Sequence, residues 1–250
     1  MKRPWVVKFG GSLLSDEDAG GEFLKQAAAL SRRRPLVLVH GGGPEINAAL
    51  EQTGVRTTWV KGRRVTDDAA MRVVERVLSG EVNKRLVGRL SRLGVRAVGL
   101  SGRDGGLLTA KPVKGLGRVG MPSKADASVL IALLKAKFTP VVSPVAGGAD
   151  GEALNVNADD AAASIAAALK AERLVYLTDV PGVLDADKNT LPVIRVGRDL
   201  GSLISSGVVT GGMIPKTQSC RDAIKKGVGE VDIIDGRAGL LKMKGTRLLP

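Results

Sequence analysis

Asn155, Asn157 and Asp159 alternate along Leu154-Asn155-Val156-Asn157-Ala158-Asp159-Asp160, directly ahead of an alanine-rich stretch that runs to Leu169. In an extended chain this spacing puts two amides and a carboxylate on one side. The alanines then carry the chain into a helix, with Asp159 in its first turn. A helix N-terminus is a positive dipole end with free N–H groups, a place to hold anions and to fix cationic side chains. Capping accounts for one of the three polar residues, not for three converging on one face.

Two further stretches can meet an anion. Trp5-Val6-Val7-Lys8-Phe9 is an apolar strand interrupted by one lysine and opening into Gly10-Gly11-Ser12. Pro35-Leu36-Val37-Leu38-Val39-His40 repeats the arrangement ahead of Gly41-Gly42-Gly43 and a helix from Pro44 to Gln52. Paired glycines let a phosphate approach backbone N–H groups closely, and Lys8 adds a mobile positive charge. Strand, glycine turn and helix, twice in succession, make a parallel sheet with two anion-binding loops on one edge. His40 is the only histidine, and at a strand end it reads as structural.

Arg56 to Val65 reads as a β-hairpin turning at Gly62, which leaves Arg64 ahead of the capping pair Thr66-Asp67. Arg64 there is either a surface arginine or a bidentate grip on a carboxylate. The strand Arg173 to Thr178 ends in Asp179-Val180-Pro181-Gly182-Val183-Leu184, either a plain tight turn or the seat of a nucleotide at the carboxyl edge of a sheet.

Two motif matches fail on context. Gly115-Leu116-Gly117-Arg118-Val119-Gly120 fits the dinucleotide pattern G-x-G-x-x-G, but no apolar strand precedes it and Pro122 follows. Gly207 to Thr217 resembles a phosphate loop, yet Pro215 stands where the Walker pattern needs glycine before its lysine. Cys220 falls on the inward face of a helix beginning near Lys216 and reads as core.

The positioning elements follow from the remaining pattern. Helices are expected around Phe23 to Leu30, from Val73 to Leu93 with a break at Gly80, and from Ala127 to Ala136. Strands are expected at Val95 to Leu100, Thr139 to Val145 and Val231 to Ile234. Leu107 to Met121 reads as a second hairpin, and the tail Gly245 to Leu249 as an edge strand. Gly147-Gly148 to Gly151 marks a join, giving lobes 1–150 and 151–250.

With 44% hydrophobic and 2% aromatic residues, the core must be aliphatic, which suits a parallel sheet covered by helices on both faces. The net charge of +13 is spread over many helices, with Arg32-Arg33-Arg34 the only compact run. Aromatics for base stacking are missing, so nucleic acid is not an expected partner. The charge suits steering of anionic substrates or an acidic partner protein. One cysteine allows no intramolecular disulfide and no cysteine-based zinc site. No apolar run reaches the ~18 residues of a membrane span, and Met1 to Pro4 lead straight into a strand. A cytoplasmic protein with no membrane contact is expected.

Six motifs occur in order from end to end: Lys8-Phe9-Gly10-Gly11-Ser12, Val39-His40-Gly41-Gly42-Gly43, Gly62-Arg63-Arg64-Val65-Thr66, Asn155-Val156-Asn157-Ala158-Asp159, Thr178 to Leu184, and Gly211-Gly212-Met213-Ile214-Pro215-Lys216. Together they resemble the amino acid kinase family, in the group that phosphorylates N-acetylglutamate. The resemblance implies a three-layer αβα sandwich with a central, mainly parallel sheet. It implies an N-terminal lobe that binds the amino-acid substrate and forms the dimer, and a C-terminal lobe that binds ATP. The implied reaction turns the side-chain carboxylate of N-acetyl-L-glutamate into N-acetyl-L-glutamyl 5-phosphate for arginine biosynthesis.

The resemblance also assigns roles. Lys8 and Lys216 match lysines that stabilise the transferring phosphoryl group, and Asp159 the carboxylate that holds both. Gly10, Gly11, Gly41, Gly42, Arg64, Asn155 and Asn157 match substrate contacts. Asp179, Val180, Pro181, Gly182, Val183, Leu184, Val208, Val209 and Thr210 match the nucleotide site. Mg2+ is expected to ride on the ATP phosphates, with no protein metal site. Arg63 departs from the leucine usual in the family and leaves room for a bulkier or more acidic substrate. A sister group acts on aminoadipate or glutamate attached to an acidic carrier protein, which the basic surface would suit. A catalytically silent amino-acid sensor on the same fold is a further alternative. Only Met1 to Pro4 precede the first strand, so the resemblance implies a short, arginine-insensitive homodimer joined across the N-terminal lobes, between the helix after Gly43 and about Gly80.

Overall fold

A computed structural model describes residues 2–250 except Gly11, Ser12, Leu14, Ser15, Arg56, Lys61 and Gly212. Its strands in chain order are β1 (Trp5–Phe9), β2 (Leu36–His40), β3 (Trp59–Val60), β4 (Arg63–Arg64), β5 (Ala97–Ser101), β6 (Leu108–Pro112) and β7 (Val119–Ala125). They continue as β8 (Thr139–Ser143), β9 (Val145–Gly147), β10 (Ala153–Val156), β11 (Arg173–Thr178), β12 (Val193–Arg195), β13 (Glu230–Asp235) and β14 (Gly245–Leu249). Eight form one sheet in the order β12-β14-β13-β11-β1-β2-β8-β5. Its pairings are parallel except that of β13 with β14.

Alternation along the central strands feeds two cores. Val6 of β1 and Val37 and Val39 of β2 face one side, where Ala161, Ala162 and Ile165 pack from the Ala158–Ala168 helix. Val7, Phe9, Leu36 and Leu38 face the other, against Phe23, Leu24 and Ala27 of the Glu17–Ser31 helix and Ile46 and Leu50 of the Gly43–Gln52 helix. Helices therefore cover both faces, and the αβα sandwich is as expected. No helix among the described residues is long and apolar enough to cross a membrane.

Three expectations need correction. Gly80 does not break its helix, because Asp68–Glu75 runs through a π-helical segment, Arg76–Val82, into Asn83–Arg92. Thr139 to Val145 is not one strand: the chain divides at Pro144, sending β8 to the large sheet and β9 to a small barrel with β6, β7 and β10. β14 is not at the sheet edge, since β12 pairs outside it through Val193, Ile194 and Arg195. In each case non-local packing overrode a local pattern.

Candidate functional site

Lys8 lies near the carboxyl end of β1, between Val39 of β2 and Tyr176 of β11. Asn157 caps the Ala158–Ala168 helix, its side chain accepting from Asp159 N at 2.8 Å. This fixes Asp159 in the first turn. Lys216 stands in the first turn of the Met213–Lys225 helix. The three meet around one carboxylate, with Lys8 Nζ 2.9 Å from Asp159 Oδ1 and Lys216 Nζ 2.5 Å from Oδ2. Below them, the buried Tyr176 hydroxyl donates to the Asp159 carbonyl at 3.2 Å, and its ring centroid is 5.2 Å from Lys216 Nζ.

Burial pushes the Asp159 carboxyl toward its neutral form, but the two ammonium groups outweigh it and hold the pKa at about 2. Asp159 is thus a fixed anion between two cations, leaving the cluster one net positive charge. Each side chain keeps 17–22% exposure, so a ligand can reach it.

Beside the cluster is a cavity of about 180 Å3. Gly41, Gly42 and Gly43 line it at the start of the Gly43–Gln52 helix, and Asn157 and Ala158 at the start of the Ala158–Ala168 helix, so two positive helix ends converge on it. Asn155, Arg63 and Arg64 add to its polar wall. Asn155 Nδ2 donates to Thr66 Oγ1 at 3.1 Å, and that hydroxyl donates to the Arg64 carbonyl at 2.8 Å. Arg64 is only 5% exposed. Its Nη2 is 2.5 Å from Asn47 Oδ1, its Nη1 3.3 Å from Thr57 Oγ1, and its guanidinium 4.5 Å from the Trp59 ring centroid. Burial lowers its pKa, with no carboxylate among the described residues opposing. Among the described residues the lining contains no Asp or Glu. A buried guanidinium with only neutral partners is prepared for an external anion.

The glycines have a packing reason. A Cβ on Gly10 would lie 3.1 Å from Gly41 Cα and N, so the two strand-end turns touch. One on Gly42 would lie 2.7 Å from Leu78 Cδ2, on the π-helical segment that helps wall the cavity. His40 is structural: its Nδ1–H donates to Gly41 O at 2.9 Å and its Nε2 accepts from Asn83 Nδ2 at 3.1 Å. Burial holds its pKa down at about 4. Cys220 is fully buried, and burial pushes its thiol far up.

Gly10 lines not that cavity but a smaller one, of about 50 Å3, with Thr178, Asp179, Gly236 and Arg237. Asp179, Pro181 and Thr210 are exposed, and Val180, Leu184 and Val208 half-buried. Val183 and Val209 pack into the core. Gly182 adopts φ 138°, and a Cβ there would lie 2.7 Å from Thr246 Oγ1. Gly11, of the substrate-contact set, and Gly212 lie outside the described residues.

Sequence reasoning missed the supports: Asn47, Thr57 and Trp59 around Arg64, Thr66 under Asn155, and Tyr176 under Asp159. No local spacing links Asn47 to Arg64 or Tyr176 to Asp159. A hairpin tip rich in cation and tryptophan was the one available hint.

The profile of the amino acid kinase family matches residues 3–235. The chain is 45% identical over 246 residues to an acetylglutamate kinase from Endomicrobium trichonymphae, covering 98% of each chain. It is similar to the crystal structure of smu.665 from Streptococcus mutans UA159, with TM-score 0.86 and 32% identity, covering 100% of this chain and 99% of that one. An N-acetylglutamate synthase from Neisseria gonorrhoeae, complexed with coenzyme A and N-acetyl-glutamate, aligns with TM-score 0.85 and 25% identity, covering 99% of this chain and 59% of that one.

Proposed function

This chain belongs to the amino acid kinase family, and on that premise we propose that it phosphorylates the side-chain carboxylate of N-acetyl-L-glutamate with ATP. The products are N-acetyl-L-glutamyl 5-phosphate and ADP. The observation that carries the reading is the Lys8–Asp159–Lys216 cluster beside a cavity with a buried, carboxylate-free Arg64.

The reaction joins two anions. A substrate carboxylate oxygen forms a bond to the γ-phosphorus while the bond to the β,γ-bridging oxygen breaks and its electron pair leaves with ADP. No general base is required, because the nucleophile is already ionised. The protein has to position the partners and offset negative charge. Lys8 and Lys216 do so at the phosphoryl oxygens, and Asp159 keeps their ammonium groups in register. Mg2+ bound to the nucleotide would neutralise its phosphates. With Asp159 committed to two lysines, the phosphates themselves would supply most of its ligands.

Arg64 takes the α-carboxylate. A free α-ammonium would meet two positive helix ends and no lining carboxylate, whereas a blocked nitrogen carries no charge and can donate its N–H to the Asn155 carbonyl oxygen. This favours an N-acylated substrate over free glutamate or aminoadipate. The charge of +13 keeps a carrier-linked substrate as the second reading. A silent sensor would have no need of an intact lysine–carboxylate–lysine cluster. The proposal extends to ATP binding by the C-terminal lobe, to a cytoplasmic setting and to a symmetric homodimer, the commonest assembly for such an enzyme, which light scattering would test.

Purified protein is given ATP and Mg2+ with N-acetylglutamate, glutamate, aminoadipate or a carrier-linked substrate, and acyl phosphate is trapped with hydroxylamine. Hydroxamate from N-acetylglutamate is expected. Product from the carrier-linked substrate alone would overturn the reading.

A further inference from the structure

Arg63 borders two concavities. One is the cavity beside the lysine cluster. The other is an outer groove of about 300 Å3 between Met121 and Pro122 of β7 and the helix residues Asp160, Ser164, Gln218 and Asp222. Arg63 Nη2 is 2.8 Å from Asp160 Oδ2, and Asp160 lines the groove but not the cavity. The guanidinium is therefore tied on its groove side. Nη1, by contrast, is buried and has no acceptor among the described residues. A buried donor left unpaired is rare enough to call for a partner from outside the chain.

The substrate proposed above supplies one. Once its side-chain carboxylate is at the lysines and its α-carboxylate at Arg64, the group on its nitrogen must leave the α-carbon in a third direction. Arg63 follows as wall on the same short hairpin strand as Arg64. Asp160 offsets the Arg63 charge, so the free N–H suits a neutral oxygen and not a second carboxylate.

We propose that Arg63 is a specificity-determining residue that closes the acyl subsite. Nη1 donates to the acyl carbonyl oxygen, and the guanidinium, anchored by Asp160, stands between cavity and groove and limits the length of the acyl chain. This rests on the reading of the reaction given above. Under it a carrier-linked substrate is disfavoured, because its tether would have to pass Arg63.

The test uses N-acetyl-, N-butyryl- and N-hexanoyl-glutamate with wild type, Arg63→Met and Arg63→Ala, their folding checked by thermal melts. Wild type should lose kcat/KM by on the order of 100-fold from acetyl to hexanoyl, a methylene-scale discrimination. Arg63→Met keeps the bulk but no donor. It should retain that profile while raising KM for N-acetylglutamate by about 10-fold, the scale of one hydrogen bond, with KM for ATP unchanged. Arg63→Ala should raise hexanoyl turnover relative to acetyl by about 10-fold. Should Arg63→Ala not fold, Asp160→Ala, which unties the guanidinium, should move the length profile the same way. An unaltered length profile in Arg63→Ala (or in Asp160→Ala where it stands in), or an unaltered KM in Arg63→Met, overturns the role of Arg63 alone. Wild type that turns over no acylglutamate overturns the reaction and this role with it.

Discussion

Replacing Asp159 by asparagine keeps the shape of the side chain and removes its charge. The carboxyl is held at about 2 against an ordinary 3.8. At ~1.4 kcal/mol per unit, that shift is on the order of 2–3 kcal/mol of preference for the anion after burial has been overcome. The same interactions hold the two ammonium groups, so Asp159→Asn should release about that much of their positioning, which corresponds to somewhat under 100-fold in kcat. The assay is coupled ADP release with both substrates saturating, for Asp159→Asn, Lys8→Ala and the double variant. Because Lys8 and Asp159 are 2.9 Å apart, the double loss should fall well short of the product of the single losses. Unchanged kcat in Asp159→Asn, or losses that simply multiply, would refute a shared network.

Lys8→Ala and Lys216→Ala should each lower kcat by on the order of 100 to 1,000-fold, with smaller effects on either KM, as for other preorganised charge donors; a KM effect alone would make them binding residues. Arg64→Ala should raise KM for the amino-acid substrate by a factor corresponding to about 1.5–3 kcal/mol while leaving KM for ATP nearly unchanged; equal effects on both would move Arg64 out of the substrate wall. Since the Asp159 pKa is depressed in the folded protein, its stabilising contribution is full above the unfolded value of ~3.9 and is lost as pH falls through about 2. Acid unfolding followed by circular dichroism should show Asp159→Asn approaching wild type as pH drops from 4 to 2; a gap that widens over that range would contradict the sign.

The motifs that announced the site were local. Alternation placed Asn155 and Asn157 on the cavity wall and Asp159 at the helix mouth, because strand and helix periods follow from the backbone alone. The glycine turns after β1 and β2 were legible for the same reason. What stayed hidden depended on partners far along the chain. Arg64 gave no sign of being buried, since its burial comes from Asn47, Thr57 and Trp59 closing around it. The Gly80 break was a misreading because glycine weakens a helix without ending it when Leu78 and Val82 pack inward on either side. The order of β12 and β14 was out of reach, since edge position depends on which strands pair across long separations in the chain and not on composition.

The strand that bears Lys8 is flanked by β2, made soon after it, and by β11, made more than half the chain later. A chain emerging from the ribosome can complete the first pairing early. The other edge of β1 stays open until Arg173–Thr178 arrives, and such distant pairings are intrinsically slow. Asp159 comes shortly before that strand and Lys216 well after it. Nascent fragments therefore hold lysine and carboxylate without the geometry that joins them, and the Lys8–Asp159–Lys216 cluster can be complete only after Lys216 has been made.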